Sequence, residues 1–357
     1  MKLVVLGLSL SSSWGNGHAT TYRALLKAFA ARGHSVTFLE RDQPWYAEHR
    51  DLAQPGWCRL ALYADIATLG LHRQEIAAAD AVIVGSYVAD GPSVIARIQR
   101  WASGVTAFYD IDTPITLAKL AGGDHDYLAP ENIPGFDIYF SFTGGPTLRT
   151  LEHRWHARRA EALYCSVDPD AYPPLDTPER WALSYLGTYS PDRQPVLERL
   201  LIAPARARPD LAFAVAGPLY PDTIDWPANV ERIAHIPPAD HPAFYAASRL
   251  TLNVTREDMR VAGWSPSVRL FEAAACARPI VSDRWPGLDQ LFAVPDELLI
   301  ADTGADILAA LDRPDRAATG QAARARVLAE HTAAARAAQL EADLTTAARP
   351  VARAAHA

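Results

Sequence analysis

The apolar positions of this chain repeat one alternation from end to end. Residues 3–10 form a short apolar run that predicts a buried strand. Residues 20–31 place Tyr22, Leu25, Leu26 and Phe29 at helical spacing, Gly33 ends that helix, and residues 35–40 predict the next strand. Helical stretches at 74–79, 92–101 and 146–156 are interleaved with strands at 81–85, 105–109, 137–142 and 162–166. Residues 166–174 break the pattern with Asp168, Pro169, Pro173 and Pro174 and read as a joint between domains. A second alternation follows. Strands are predicted at 181–186, 211–216, 230–236, 250–254, 279–282 and 298–301, with helices at 195–205 and 241–247. The Ala- and Arg-rich tail predicts one or two helices over 324–344. Such alternation implies mostly parallel sheets covered by helices on both faces. The expected fold class is α/β, with domains at 1–166 and 179–335, a linker at 167–178 and a helical tail at 336–357.

Composition narrows the function classes. The 357 residues are 49% hydrophobic, enough for two cores, and carry a net charge of −7 with no basic block, so general nucleic-acid binding is not expected. The three cysteines are widely spaced, which suits reduced thiols in a cytoplasmic protein. The first apolar run is short and leads into an amphipathic helix, so it reads as a strand and not as a targeting segment, and no run approaches a membrane span.

The densest chemistry lies in Trp264-Ser265-Pro266-Ser267-Val268-Arg269-Leu270-Phe271-Glu272-Ala273. Ser265 suits an N-cap and Pro266 the first helical position. Free amides at Ser267 and Val268 would then face an anion, with Arg269 adding a fork of donors. Glu272 follows Ser267 by roughly 7.5 Å along a helix axis, about the offset from a diphosphate to the ribose of a nucleotide. This string resembles the nucleotide-sugar-binding helix of group 1 glycosyltransferases of the GT-B fold, most closely the CgeB-like, spore-maturation-type branch. The Val-Asp-Pro-x-x-Tyr-x-Pro joint from Val167 to Pro174 and the Gly33-His34-Ser35-Val36 turn resemble parts of the same enzymes. The resemblance implies two Rossmann-like domains facing a cleft, with the last helix crossing back to the first domain. The second domain would bind the donor diphosphate and, through Glu272, its ribose. Gly187, Thr188 and Arg193 would form the loop beneath the phosphates. The family's usual first Glu falls at Trp264, which leaves the donor-sugar contact and the stereochemical course open.

Three further constellations bear on chemistry. Gly15 and Gly17, with His18, follow the first strand, where glycines let a ligand approach the backbone. With Glu40 at the end of the second strand they partly match a dinucleotide fingerprint, so an NAD(P)-dependent oxidoreductase is an alternative. Asp110-Ile111-Asp112 follows another strand; Asp112 suits a general base or sugar contact, and the alternatives are a helix cap or one half of a metal-binding Asp-x-Asp pair. His153 and His156 lie one turn apart among arginines and read as a solvated face. The expectation is a metal-independent glycosyltransferase with Asp112 and His18 catalytic. It would need no cofactor, take a UDP-type donor by default and use an acceptor that the sequence does not name. A non-catalytic nucleotide-sugar-binding protein is a further alternative.

Overall fold

A computed structural model describes residues 1–14 and 17–348; Gly15 lies outside the described residues. The chain divides into two compact units. One comprises residues 1–164 together with the chain from residue 334 onward, and the other residues 165–333.

Unit 1 holds seven parallel strands: β1 (Lys2–Gly7), β2 (Ser35–Arg41), β3 (Arg59–Tyr63), β4 (Ala81–Gly85), β5 (Val105–Asp110), β6 (Ile138–Ser141) and β7 (Ala160–Ala162), in the order β3-β2-β1-β4-β5-β6-β7. The inner strands β4 and β5 are buried along their whole length, as sheets covered on both faces require. Gly85 is needed where it stands, because a β-carbon there would overlap the Tyr22 hydroxyl from the helix His18–Ala31. β3 was not expected from the sequence. It is a five-residue edge strand, exposed at Arg59 and Leu62 and buried only at Tyr63, and its short apolar run from Leu60 to Tyr63 shows no alternation of apolar and polar positions.

Unit 2 holds β8 (Trp181–Leu186), β9 (Phe213–Ala216), β10 (Val230–Ile233), β11 (Ser248–Asn253), β12 (Ile280–Ser282) and β13 (Leu299–Ile300), all parallel, in the order β10-β9-β8-β11-β12-β13. The predicted helix at 195–205 is a helical run from Gln194 to Ala207 that widens into a π-helical turn at Glu198–Ile202. In each unit the strand order reverses beside the first strand, between β1 and β4 and between β8 and β11. The crevice at the carboxyl ends of such a switch point is where open α/β sheets bind ligands.

The helix Ala333–Ala348 belongs to unit 1. Ala337, Leu340 and Leu344 are buried, Arg159 pairs with Asp343 at 2.6 Å, Arg32 with Glu341, and Gln339 donates to the Ala162 carbonyl at 2.7 Å.

Candidate functional site

The switch point of unit 2 is lined by the end of β8, the end of β11 and the start of the helix Val268–Ala275. The N-cap of that helix is Ser267, two residues later than the expected Ser265. The correction has a backbone cause. Gly263 and Trp264 both adopt positive φ, and the chain stays extended through Ser267, so the first helical residue is Val268. Ser265 is buried in the approach to it. The Ser267 side chain does not cap its own helix; it donates to Asn253 Oδ1 at 2.7 Å, which leaves the first-turn amides without a side-chain acceptor.

Arg269 is buried and fixed in place. Its Nε donates to the Leu186 carbonyl, its Nη1 to Asn253 Oδ1 at 2.8 Å, and the guanidinium lies 4.8 Å from the centre of the Tyr185 ring. Asn253 is the hub: its Oδ1 accepts from Ser267 and Arg269, and its Nδ2 donates to Thr255 and Ser282. Gly187 follows β8, and a β-carbon there would crowd the Tyr185 hydroxyl at 2.6 Å and Arg269 Nη2 at 2.8 Å. Thr188 and Arg193 meet each other, with Arg193 Nη2 donating to the Thr188 carbonyl at 2.5 Å. Ser267, Val268, Arg269, Gly187, Thr188 and Arg193 therefore all stand on elements that leave one sheet edge.

Glu272 lies one turn inside the same helix and is 3% exposed. Its Oε1 accepts from the Tyr172 hydroxyl at 2.9 Å and its Oε2 from the Tyr245 hydroxyl at 3.0 Å, with His241 Nδ1 3.7 Å from Oε2. Burial works to raise the pKa of this carboxyl, but the bonds from His241, Tyr172 and Tyr245 outweigh it and hold the group below its ordinary value. Two lone pairs on a buried carboxylate remain after both phenols are counted.

Unit 1 brings a second set together. His18 is the first residue of its helix, after the N-cap Gly17, and its Nε2 stands 3.8 Å from Asp112 Oδ2. Tyr87, which follows β4, donates to the same oxygen at 3.2 Å. Asp112 occupies the N-cap position of the helix Thr113–Ala121 without a side-chain cap bond. Asp110 is wholly buried and accepts from Tyr139 at 2.6 Å and Thr116 at 2.7 Å. It is therefore held by contacts in the interior of the unit.

Burial pushes the Asp110 carboxyl up to about 6. A folded-state pKa above the unfolded one means that the folded state holds the proton longer. The stability this contributes is full below about pH 4 and is lost as pH rises through about 6. The expected loss is at most about 3 kcal/mol. Denaturant melts between pH 4 and pH 7 test it, and an Asp110→Asn chain should show a weaker dependence over that window.

Glu40, the acid of the partial dinucleotide fingerprint, is also spent internally. It is wholly buried and accepts from the amides of Leu10 and Ser11 and the hydroxyls of Ser9 and Ser11. Sequence reasoning missed Tyr172, Tyr185, Tyr245, His241 and Tyr87 as members of these sites. A signal existed for one pair, since His241 and Tyr245 are spaced to share a helix face.

Residues 193–342 match the family described as Glycosyl transferase-like. No curated protein matches the chain by sequence. Solved structures similar to it include sucrose-phosphate synthase from Thermosynechococcus elongatus, at 14% identity and a TM-score of 0.70 over 97% of this chain and 99% of that one. HepE of Anabaena, crystallised with UDP and glucose, shares 14% identity at a TM-score of 0.69 over 97% of this chain and 100% of that one. The α,α-trehalose 6-phosphate synthase from Burkholderia multivorans shares 12% identity at a TM-score of 0.65 over 97% and 98%. The chain has the GT-B fold, and its second half carries a glycosyltransferase-like domain. Among the described residues no helix is long and apolar enough to cross a membrane.

Proposed function

We propose that this chain moves a sugar, a hexose by preference, from a nucleotide diphospho-sugar to a hydroxyl of an acceptor, as a cytoplasmic enzyme near the CgeB-like branch. One observation carries the reading. Arg269 and the uncapped start of the helix Val268–Ala275 converge at the switch point of unit 2, with the buried Glu272 one turn further in. Helix amides and a fixed guanidinium suit a leaving diphosphate, on which negative charge develops as the glycosidic bond breaks. These groups supply positive charge from the chain itself. Glu272 would hold the ribose hydroxyls through its remaining lone pairs. Unit 1 would serve the acceptor, with Asp112 taking the proton of the attacking hydroxyl and His18 beside it. The neighbour crystallised with UDP makes UDP the first donor base to try. The acceptor, whether saccharide, protein or small molecule, is to be found by assay. The oxidoreductase reading loses its ribose-binding acid, because Glu40 faces its own loop.

A thermal-shift panel of UDP, ADP, GDP and dTDP tests the donor site. One diphosphate at about a hundredfold excess over its dissociation constant should add roughly 2.7 kcal/mol, a rise of several degrees in Tm. Glu272→Gln, which keeps the volume, should lose most of that rise. Equal stabilisation of both proteins would remove Glu272 from the site.

A further inference from the structure

One polar atom at the switch point of unit 2 has no use within the fold. Tyr185 is 1% exposed, and its hydroxyl has no hydrogen-bond partner among the described residues. A buried hydroxyl left unpaired destabilises a fold, and such a group in a native protein calls for an explanation. Its position supplies one. Tyr185 and Gly187 stand two residues apart at the end of β8 and so share one face of the sheet. With no side chain at Gly187, the phenol reaches toward the carboxyl end of the strand. The point where a β-carbon of residue 187 would stand is 2.6 Å from the hydroxyl. The backbone of Gly187 is engaged elsewhere: its N–H donates to the Ala216 carbonyl at 2.8 Å, and its carbonyl accepts from the Tyr220 hydroxyl at 3.1 Å.

The same point lies 2.8 Å from Arg269 Nη2. Arg269 uses its Nε on the Leu186 carbonyl and its Nη1 on Asn253 and Ser267, and Nη2 has no partner among the described residues. Two unused donors therefore converge beside Gly187, one of them from the first turn of the helix Val268–Ala275. A guanidinium has only protons to give, so an atom that joins Nη2 to the phenol must accept from both. A charged oxygen suits that place, because a hydrogen bond with an ionised partner is roughly twice as strong as a neutral one. The guanidinium also lies 4.8 Å from the centre of the Tyr185 ring, so the ring that carries the hydroxyl helps to hold the cation beside it.

We propose that the Tyr185 hydroxyl binds the donor: it donates a hydrogen bond to a diphosphate oxygen that also accepts from Arg269 Nη2. The inference rests on the donor reading given above and adds a contact to it. One hydroxyl then acts in opposite directions on stability and on binding. The unliganded fold carries it unpaired, and the bond that pairs it forms only with the nucleotide.

Tyr185→Phe removes the hydroxyl and keeps the ring beside Arg269. Thermal melts of the unliganded full chain should place the variant about 2 to 4 °C above wild type, because the unpaired group is gone. Calorimetry with UDP, ADP, GDP and dTDP should then compare the two proteins. For the nucleotide that binds, the variant should be weaker by about tenfold or more, the loss of a hydrogen bond to a charged group. A variant that melts at or below wild type shows that the hydroxyl has a partner inside the fold, and this overturns the proposal. A nucleotide bound equally by both proteins overturns the role of Tyr185 while leaving the donor site standing. A variant that melts higher, in a chain that binds none of the four nucleotides, overturns the donor reading and the role of Tyr185 with it.

Discussion

Arg269→Gln is expected to slow release of nucleoside diphosphate from the donor by about 10³-fold, some 4 kcal/mol of barrier. The guanidinium is held before any ligand arrives, by the Leu186 carbonyl, Asn253 and the Tyr185 ring. Such a group spends nothing on reorganisation when charge appears on the leaving oxygen. Glutamine preserves part of the bonding to Asn253 but has no charge. Lysine keeps the charge and loses the planar fork that bonds Leu186 and Asn253 together, so Arg269→Lys should fall between the two. Donor hydrolysis without acceptor, followed by diphosphate release, gives the rates. Because the acceptor is not required, the assay is open now. An Arg269→Gln rate within tenfold of wild type, in a folded chain, would place the diphosphate elsewhere.

Asp112→Asn should cost 10²- to 10⁴-fold in kcat for transfer with little change in donor affinity. The substitution keeps the shape and the bond from Tyr87 and removes the base. His18→Gln should produce a similar loss, since its ring lies 3.8 Å from the same carboxylate. If the two side chains act as one unit, the double variant will be scarcely slower than the worse single one. Losses that multiply would show that they serve separate steps. A transfer rate untouched by Asp112→Asn would return the residue to its local place at the helix start.

The architecture was legible because parallel strands buried on both faces write continuous apolar runs, as β4 and β5 do. What escaped has identifiable causes. β3 is an edge strand with a mixed surface, and the helix Glu257–Ala262 buries none of its residues, so neither leaves a periodic trace. The helix start was placed two residues early because Ser265 and Ser267 are equally good caps by composition, and the positive φ of Trp264 cannot be read from a tryptophan. Glu272 demanded a partner on chemical grounds, yet its partners Tyr172 and Tyr245 lie in other segments, and only the fold joins them. The same limit applies to His18 and Asp112, which the alternation put on two separate strand ends. The sheet order leaves only β4 between those ends, and the two side chains meet across it.

The return of the helix Ala333–Ala348 to unit 1 has a consequence for biosynthesis. A ribosome delivers the chain from the amino end, so all seven strands of that sheet emerge long before the element that packs Ala337, Leu340 and Leu344 against them. The patch around Ala162, Arg159 and Arg32 must wait, solvated, through translation of the whole second sheet. The nascent amino-terminal half thus stays open while the second sheet is made, and closure of its surface waits for synthesis of this helix.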